Sequence, residues 1–254
     1  MAQTDGAHAE ARDVGRALAA LLADEPALAA LLPDGYVERA AAYAGLLLEA
    51  NRRLNLTRVT APAEIARLHL LDALAALPHL DDLGPATAID LGSGGGVPGI
   101  PLALARPEVR WVLLDSVRKK VEALREMVQG LGLSNVGVEA ERAEVLGRDA
   151  EHRERYDLVA TRACAPLPVL AELALPLLAV GGTLLAWKGP LAAGDEELKR
   201  GAVALHELGG GAPGLEPAGT AALGGHTFVV VRKESPTPAR YPRRPGEPGR
   251  RPLG

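Results

Sequence analysis

One stretch of the chain gathers the residue types that close around a nucleotide-like ligand: Asp90-Leu91-Gly92-Ser93-Gly94-Gly95-Gly96-Val97-Pro98-Gly99. An apolar run leads into the glycines, and a helix is expected behind them with proline in its first turn. Glycines there let the backbone approach a ligand closely and take positive φ. Asp115 ends the next expected strand, about 20 residues on, where a carboxylate can accept ribose hydroxyls. Gly94-x-Gly96-x-x-Gly99 also satisfies the dinucleotide pattern, so NAD(P) and S-adenosylmethionine both stay open at this point. Asp90 would set a carboxylate near a diphosphate, but it suits the amino-acid end of S-adenosylmethionine. A mere tight turn does not require five clustered glycines.

These residues need a frame. From Ala86 onward, short apolar runs alternate with amphipathic segments. Strands are expected at Ala86–Leu91, Arg110–Asp115, Val136–Ala140, Asp157–Thr161 and Gly182–Trp187. Val121, Leu124, Val128 and Leu131 form one helix stripe, and another helix follows Pro168. The alternation predicts an α/β fold, a mostly parallel sheet covered on both faces. Thr227–Val231 reads as a late strand in an antiparallel edge hairpin. The segment Leu177 to Leu184, with Gly181-Gly182 at its turn, resembles the helix–glycine turn–strand that recurs in methyltransferases.

Residues 1–78 read as a helical extension. Val14, Leu18, Leu21 and Leu22 recur at helical spacing, as do Tyr43, Leu46, Leu47 and Ala50. A third helix is expected from a Thr60 cap, with Pro62 in its first turn, through Leu74. The methyltransferase-like domain spans 79–234. The tail 235–254 has too much Pro and Gly for either regular structure and is extended or ordered by docking.

The composition narrows the setting. The single cysteine, Cys164, excludes an intrachain disulfide and any multi-cysteine zinc site, and no metal site is expected. This fits a reducing cytoplasm, and the N-terminus reads as neither a signal peptide nor a membrane span. With 3% aromatic residues, base stacking has few candidates. The net charge is −4, but Arg232 to Arg251 carries seven basic and two acidic residues, leaving −9 elsewhere. Such asymmetry suggests an anionic partner for the basic part.

Beyond the class, the chain resembles the bacterial small-subunit ribosomal RNA guanine-N7 methyltransferase family (RsmG, or GidB). The likeness runs from about Tyr43 to the C-terminus. It is carried by Asn51-Arg52-Arg53-Leu54-Asn55-Leu56-Thr57, His69-x-x-Asp72, the glycine loop through Pro101, and Leu114-Asp115-Ser116-x-x-Lys119-Lys120. Arg142-Ala143-Glu144, Tyr156-Asp157, Thr161-Arg162-Ala163, Trp187-Lys188-Gly189 and Tyr241-Pro242-Arg243-Arg244-Pro245-Gly246 complete it. The resemblance implies a Rossmann-like S-adenosylmethionine-dependent methyltransferase acting on N7 of one guanine of 16S rRNA (guanine 527 in rRNA numbering), in the small ribosomal subunit. No protein partner is implied.

By position, the implied cofactor contacts are Gly92, Val97, Asp115, Ala143, Glu144 and Arg162, and Asp90, Gly94 and Gly96 join them from the loop pattern. Trp187 stands where the family more often has a smaller or aliphatic residue. Gly95 and Gly96 should make a flexible loop that loosens the methionine end. Guanine N7 offers a lone pair with no proton to remove, so transfer is an in-line displacement that needs alignment rather than a general base. Arg162 and Lys188 are assigned to positioning, Lys188 by favouring RNA electrostatically. RNA contacts are expected at Arg52, Arg53, Arg58, Lys119, Arg243 and Arg244.

His69 and Asp72, at i and i+3, share a helix face and read first as a hydrogen-bonded pair bracing the helices against the sheet. Cys164 reads as a small buried side chain. The alternative is a cytosine-C5-type nucleophile, but the adjacent proline expected there is missing. An NAD(P)-binding oxidoreductase and a noncatalytic RNA-binding factor remain the rival functions.

Overall fold

The computed structural model describes residues 2–81, 86–218 and 225–254, with side chains from residue 9 onward. Stretches 82–85 and 219–224, inside the expected 79–234 domain, lie outside the described residues. The helical region comprises α1 (Ala2–Ala23), α2 (Pro26–Ala29), α3 (Tyr36–Leu54), α4 (Pro62–Ile65), a π-helical segment (Ala66–Leu71), α5 (Asp72–Leu74) and α6 (Leu77–Asp81). The alternating part follows as β1 (Thr87–Leu91), α7 (Gly99–Ala105), β2 (Arg110–Leu114), α8 (Arg118–Gly130), β3 (Val136–Glu139), α9 (Ala143–Leu146) and β4 (Tyr156–Arg162). Then come α10 (Leu167–Ala174), β5 (Leu178–Lys188), α11 (Glu196–Glu207), β6 (Gly214–Pro217), β7 (Thr227–Arg232) and α12 (Glu247–Arg250).

The strands form one sheet of order β3-β2-β1-β4-β5-β7-β6. β1 to β5 pair in parallel, and β7 runs antiparallel to both β5 and β6. A dinucleotide-binding sheet has order 3-2-1-4-5-6. Here a reversed strand is wedged between the fifth and sixth, which separates this fold from an oxidoreductase frame. The strand order turns back at β1, so the crevice beyond β1, β2 and β4 is where ligands bind in such sheets.

Period-two alternation sorts the strand residues onto two faces. Ala88, Trp111, Leu113, Leu158, Ala160 and Leu185 share one continuous core with α1, α3, α7 and α8. Ile89, Leu91, Leu114, Val159, Leu184 and Ala186 face α9, α10 and α11, with Tyr241 of the tail. The N-terminal helices thus complete the first layer. At roughly 1.5–3 kcal/mol per fully buried large apolar side chain, Leu18, Tyr43, Leu47 and Leu70 commit them to the sheet.

Several expectations need correction. The third helix is capped at Ala61, not Thr60, and it is interrupted by the π segment. β5 starts at Leu178, four residues before the expected Gly182. The expected edge hairpin is formed by β7 with β6, but the position of β6 was not anticipated: Gly-Leu-Glu-Pro has no alternation, and its proline fits only an edge. The tail takes the docked alternative, and the correction there is the short helix α12, where no regular structure was expected. Tyr241 is buried, and the Arg243 guanidinium pairs with both carboxylate oxygens of Glu172, whose side chain is fully buried on α10.

Candidate active site

The loop after β1 is built by its own backbone. Gly92 and Ser93 N–H both donate to Leu114 O, the Ser93 hydroxyl donates to Asp90 O, and Gly96 N–H returns to Ser93 O. It is not loose, which corrects the expectation drawn from Gly95 and Gly96. A Cβ on Gly95 would sit 2.8 Å from Leu47 of α3, and Gly96, at φ +94, packs against Ile100. The Tyr43 hydroxyl also donates to Gly95 O at 2.8 Å. The helical layer therefore clamps the loop from behind, and glycine is needed there for closeness.

Asp90 departs from its expected place. Its carboxylate is fully buried under the loop and does not line the crevice; Oδ2 accepts Gly99 N–H at 2.9 Å, while Oδ1 has no partner among the described residues. Burial pushes its pKa up to about 7. It braces the start of α7, with Pro98 at the cap.

Asp115 stands at the crevice wall. Oδ2 accepts from Gly94 N–H at 3.0 Å and Oδ1 from Val117 N–H at 2.9 Å, leaving further lone pairs toward the cavity. Ala143 and Glu144 open α9 on the opposite wall. The Glu144 carboxylate is held by Arg142 and by Gly246 N–H of the tail, so the tail fixes part of this wall. This cavity, about 320 Å³, also includes Gly92, Lys120 and Cys164. A second, of about 190 Å³, continues from Gly92 past Gly94, Gly95 and Val97 to Thr57, His69 and Arg162. A third, of about 520 Å³, opens outward from Arg162 and His69, with Arg58, Asp72, Trp187, Lys188 and His226 on its walls. Together they make one trough with Arg162 at the junction of inner and outer parts.

Arg162, at the end of β4, donates to Leu68 O, to Asp72 Oδ2 at 3.2 Å and to His69 Nδ1 at 3.1 Å. Asp72 is buried and also receives His226 Nδ1 at 3.0 Å, while its carbonyl accepts the Trp187 indole N–H. His69 and Asp72 are therefore not bonded to each other; they meet through Arg162. Burial, reinforced by the Arg162 charge, lowers the His69 pKa to about 4. π segments are uncommon and concentrate at functional sites; this one delivers the Leu68 carbonyl and the His69 ring to Arg162.

Lys188 departs from its expected role. Its ammonium is nearly buried between Ala165 O and Glu197 Oε1, so its charge is neutralised and braces the turn after β4. Cys164 corrects in the other direction: the residue is exposed, with its sulfur against Gly92. Desolvation of the thiol raises its pKa, the opposite of an activated nucleophile.

Among the expected RNA contacts, Arg52 and Arg53 form exposed pairs with Glu10 and Glu126. Arg243 is consumed by Glu172, which corrects that assignment. Lys119 and Arg244 are exposed, and Arg58 lies on the outer cavity with no partner among the described residues. Sequence reasoning missed Tyr43, Thr57 and His226 as builders of the trough. Thr57 left a trace in the segment Asn55-Leu56-Thr57 and Tyr43 one only as a core position of a helix stripe; His226 left none. Among the described residues no acidic, His or Cys cluster could hold a metal, and no helix is long and apolar enough to cross a membrane.

The sheet with its reversed seventh strand, and the trough at its switch point, define a Rossmann-like S-adenosylmethionine-dependent methyltransferase. Solved structures share the fold: a mutant of MtNAS in complex with S-adenosylmethionine (TM-score 0.51, 17% identity, 75% of this chain and 72% of that one) and the S-adenosylmethionine-dependent methyltransferase SibL (0.51, 19%, 76% and 70%). A family model described as GidB, rRNA small subunit methyltransferase G, matches residues 36–208. Ribosomal RNA small subunit methyltransferase G of Deinococcus radiodurans is 48% identical over 85% of each chain. That of Roseiflexus castenholzii is 44% identical over 87% of this chain and 94% of its own. The chain belongs to the rRNA small subunit methyltransferase G family.

Proposed function

We propose that the chain methylates N7 of a guanine in 16S rRNA of the small ribosomal subunit, with the outer cavity receiving the base. The observation that carries this reading is Arg162, shared by the inner and outer cavities and charge-balanced by Asp72. S-adenosylmethionine supplies an electrophilic sulfonium methyl when bound. Asp115 would take its ribose, with Ala143 and Glu144 on the facing wall and Gly92, Gly94 and Val97 along its length; Gly96, also expected there, is buried against Ile100 and Leu124 behind the loop and lines neither cavity.

N7 needs no deprotonation, so the protein's part is alignment, which can supply roughly 7–11 kcal/mol in well-oriented cases. Transfer moves positive charge onto the base, and charge-balanced groups at the junction of the two cavities do not oppose that. Here Arg162 is paired with Asp72, Lys188 with Glu197, and His69 is held neutral. Arg58, Lys119 and Arg244 remain for RNA phosphates, whose binding needs unspent charge.

The test is to map labelled methyl on undermethylated small-subunit ribosomal RNA after incubation with the purified protein. The expected result is label at N7 of a single guanine, retained in Cys164→Ser. Label on cytosine C5 that requires Cys164 would overturn the reading, and RNA binding with no label would favour a noncatalytic factor.

A further inference from the structure

Thr57 has no part in the transfer as described, yet its surroundings are strongly constrained. Asn55 closes α3 in the left-handed conformation (φ 51) and donates its N–H to Asn51 O. Thr57 N–H donates to Asn51 Oδ1 at 2.8 Å. The Thr57 hydroxyl oxygen receives Val59 N–H at 3.0 Å and lies 2.8 Å from His69 Nε2.

The direction of that last bond is decided by Arg162. A guanidinium only donates, so His69 Nδ1 accepts from it. The imidazole is neutral near pH 7, because burial and the Arg162 charge lower its pKa to about 4. A neutral ring with Nδ1 accepting carries its proton on Nε2, which donates to Thr57. Both lone pairs of the hydroxyl are then used, and its one hydrogen has no acceptor among the described residues. The half-buried residue lines the inner cavity beside Gly94, Gly95 and Arg162.

We infer that Thr57 is a cofactor-binding residue: its hydroxyl donates to the carboxylate at the amino-acid end of S-adenosylmethionine, alongside Arg162. The inference rests on reading the inner cavity as that end of the trough. A hydroxyl that can only donate, next to a guanidinium, selects an anion over the ammonium of the same ligand. The Asn51 and Asn55 turn then serves to hold the hydroxyl in place.

The experiment compares two probes by calorimetric titration of the whole protein. S-adenosylhomocysteine keeps the amino-acid end; 5′-methylthioadenosine lacks it. Thr57→Val should weaken S-adenosylhomocysteine on the order of tenfold to a hundredfold, as for loss of a hydrogen bond to a charged group, and leave 5′-methylthioadenosine unchanged. Thr57→Ser should restore most of the loss. Thr57→Ala serves the same comparison if the valine variant fails to fold. Equal weakening of both probes would overturn the proposal, since the residue would then be scaffold, and so would unchanged binding of S-adenosylhomocysteine. If the parent protein bound neither probe, the failure would lie with the cofactor reading itself.

Discussion

The two ends of the trough are built differently. At the end proposed for the ribose, Asp115 is tied to Gly94 and Val117, residues of its own strand end and of the adjacent β1 loop. At the Arg162 end, the guanidinium is held by Leu68, His69 and Asp72, more than 90 positions away for the first two, and Asp72 in turn by His226, 154 positions from it. The first end is a property of the α/β frame. The second exists only because the helical layer is docked, so it reports on whether that layer is in place.

Removing Arg162 should break this contrast most. Arg162→Ala leaves Asp72 without its guanidinium in a buried setting, which typically costs about 3–5 kcal/mol. Single-turnover methylation should fall on the order of a hundredfold through lost alignment, while the ribose end still binds 5′-methylthioadenosine. Parental turnover in this variant would reduce the Arg162 end to scaffold.

The tail supplies a second comparison, between an arginine that is spent and one that is free. Arg243→Ala strands the fully buried Glu172 and should lower urea-unfolding stability by about 3–5 kcal/mol. Arg244→Ala should leave stability intact and reduce the salt slope of RNA binding by about one. If Arg243→Ala changed the slope and not the stability, the assignments would be exchanged.

A smaller effect is expected from Asp115→Ala, about 1–3 kcal/mol of S-adenosylmethionine affinity. Unfolding should stay cooperative, because the lost acceptor serves two loop N–H groups at the rim. Unaltered affinity in a titration would place the ribose elsewhere.

The smallest effect in neutral buffer concerns His69. Its folded pKa, about 4, lies below its ordinary value near 6.5. Its contribution to stability is therefore complete above pH 6.5 and is lost as pH falls toward 4. Urea melts at pH 7.5 and 4.5 should show a smaller acid loss for His69→Gln than for the parent. The same loss in both would mean that His69 does not titrate with folding.

The glycine loop, the strand that feeds it, Asp115 and the alternation from Ala86 onward are local patterns, so the residues by themselves determined the parallel sheet and the crevice at its switch point. Period and spacing act over a few residues, and that is the range on which a strand end and its loop are built. β6 escaped because four residues at an edge carry no alternation, and the π segment escaped because a widened turn has no spacing of its own. Tertiary structure alone decided the rest. Lys188 and Arg243 look like free cations in the chain, but Glu197 and Glu172 claim them once α11 and α10 pack. Gly95 and Gly96 look flexible until Tyr43 and Leu47 close on them. Arg162 gains its partners only when the helical layer covers the sheet, because a buried charge must find its counter-charge wherever the fold brings one within reach.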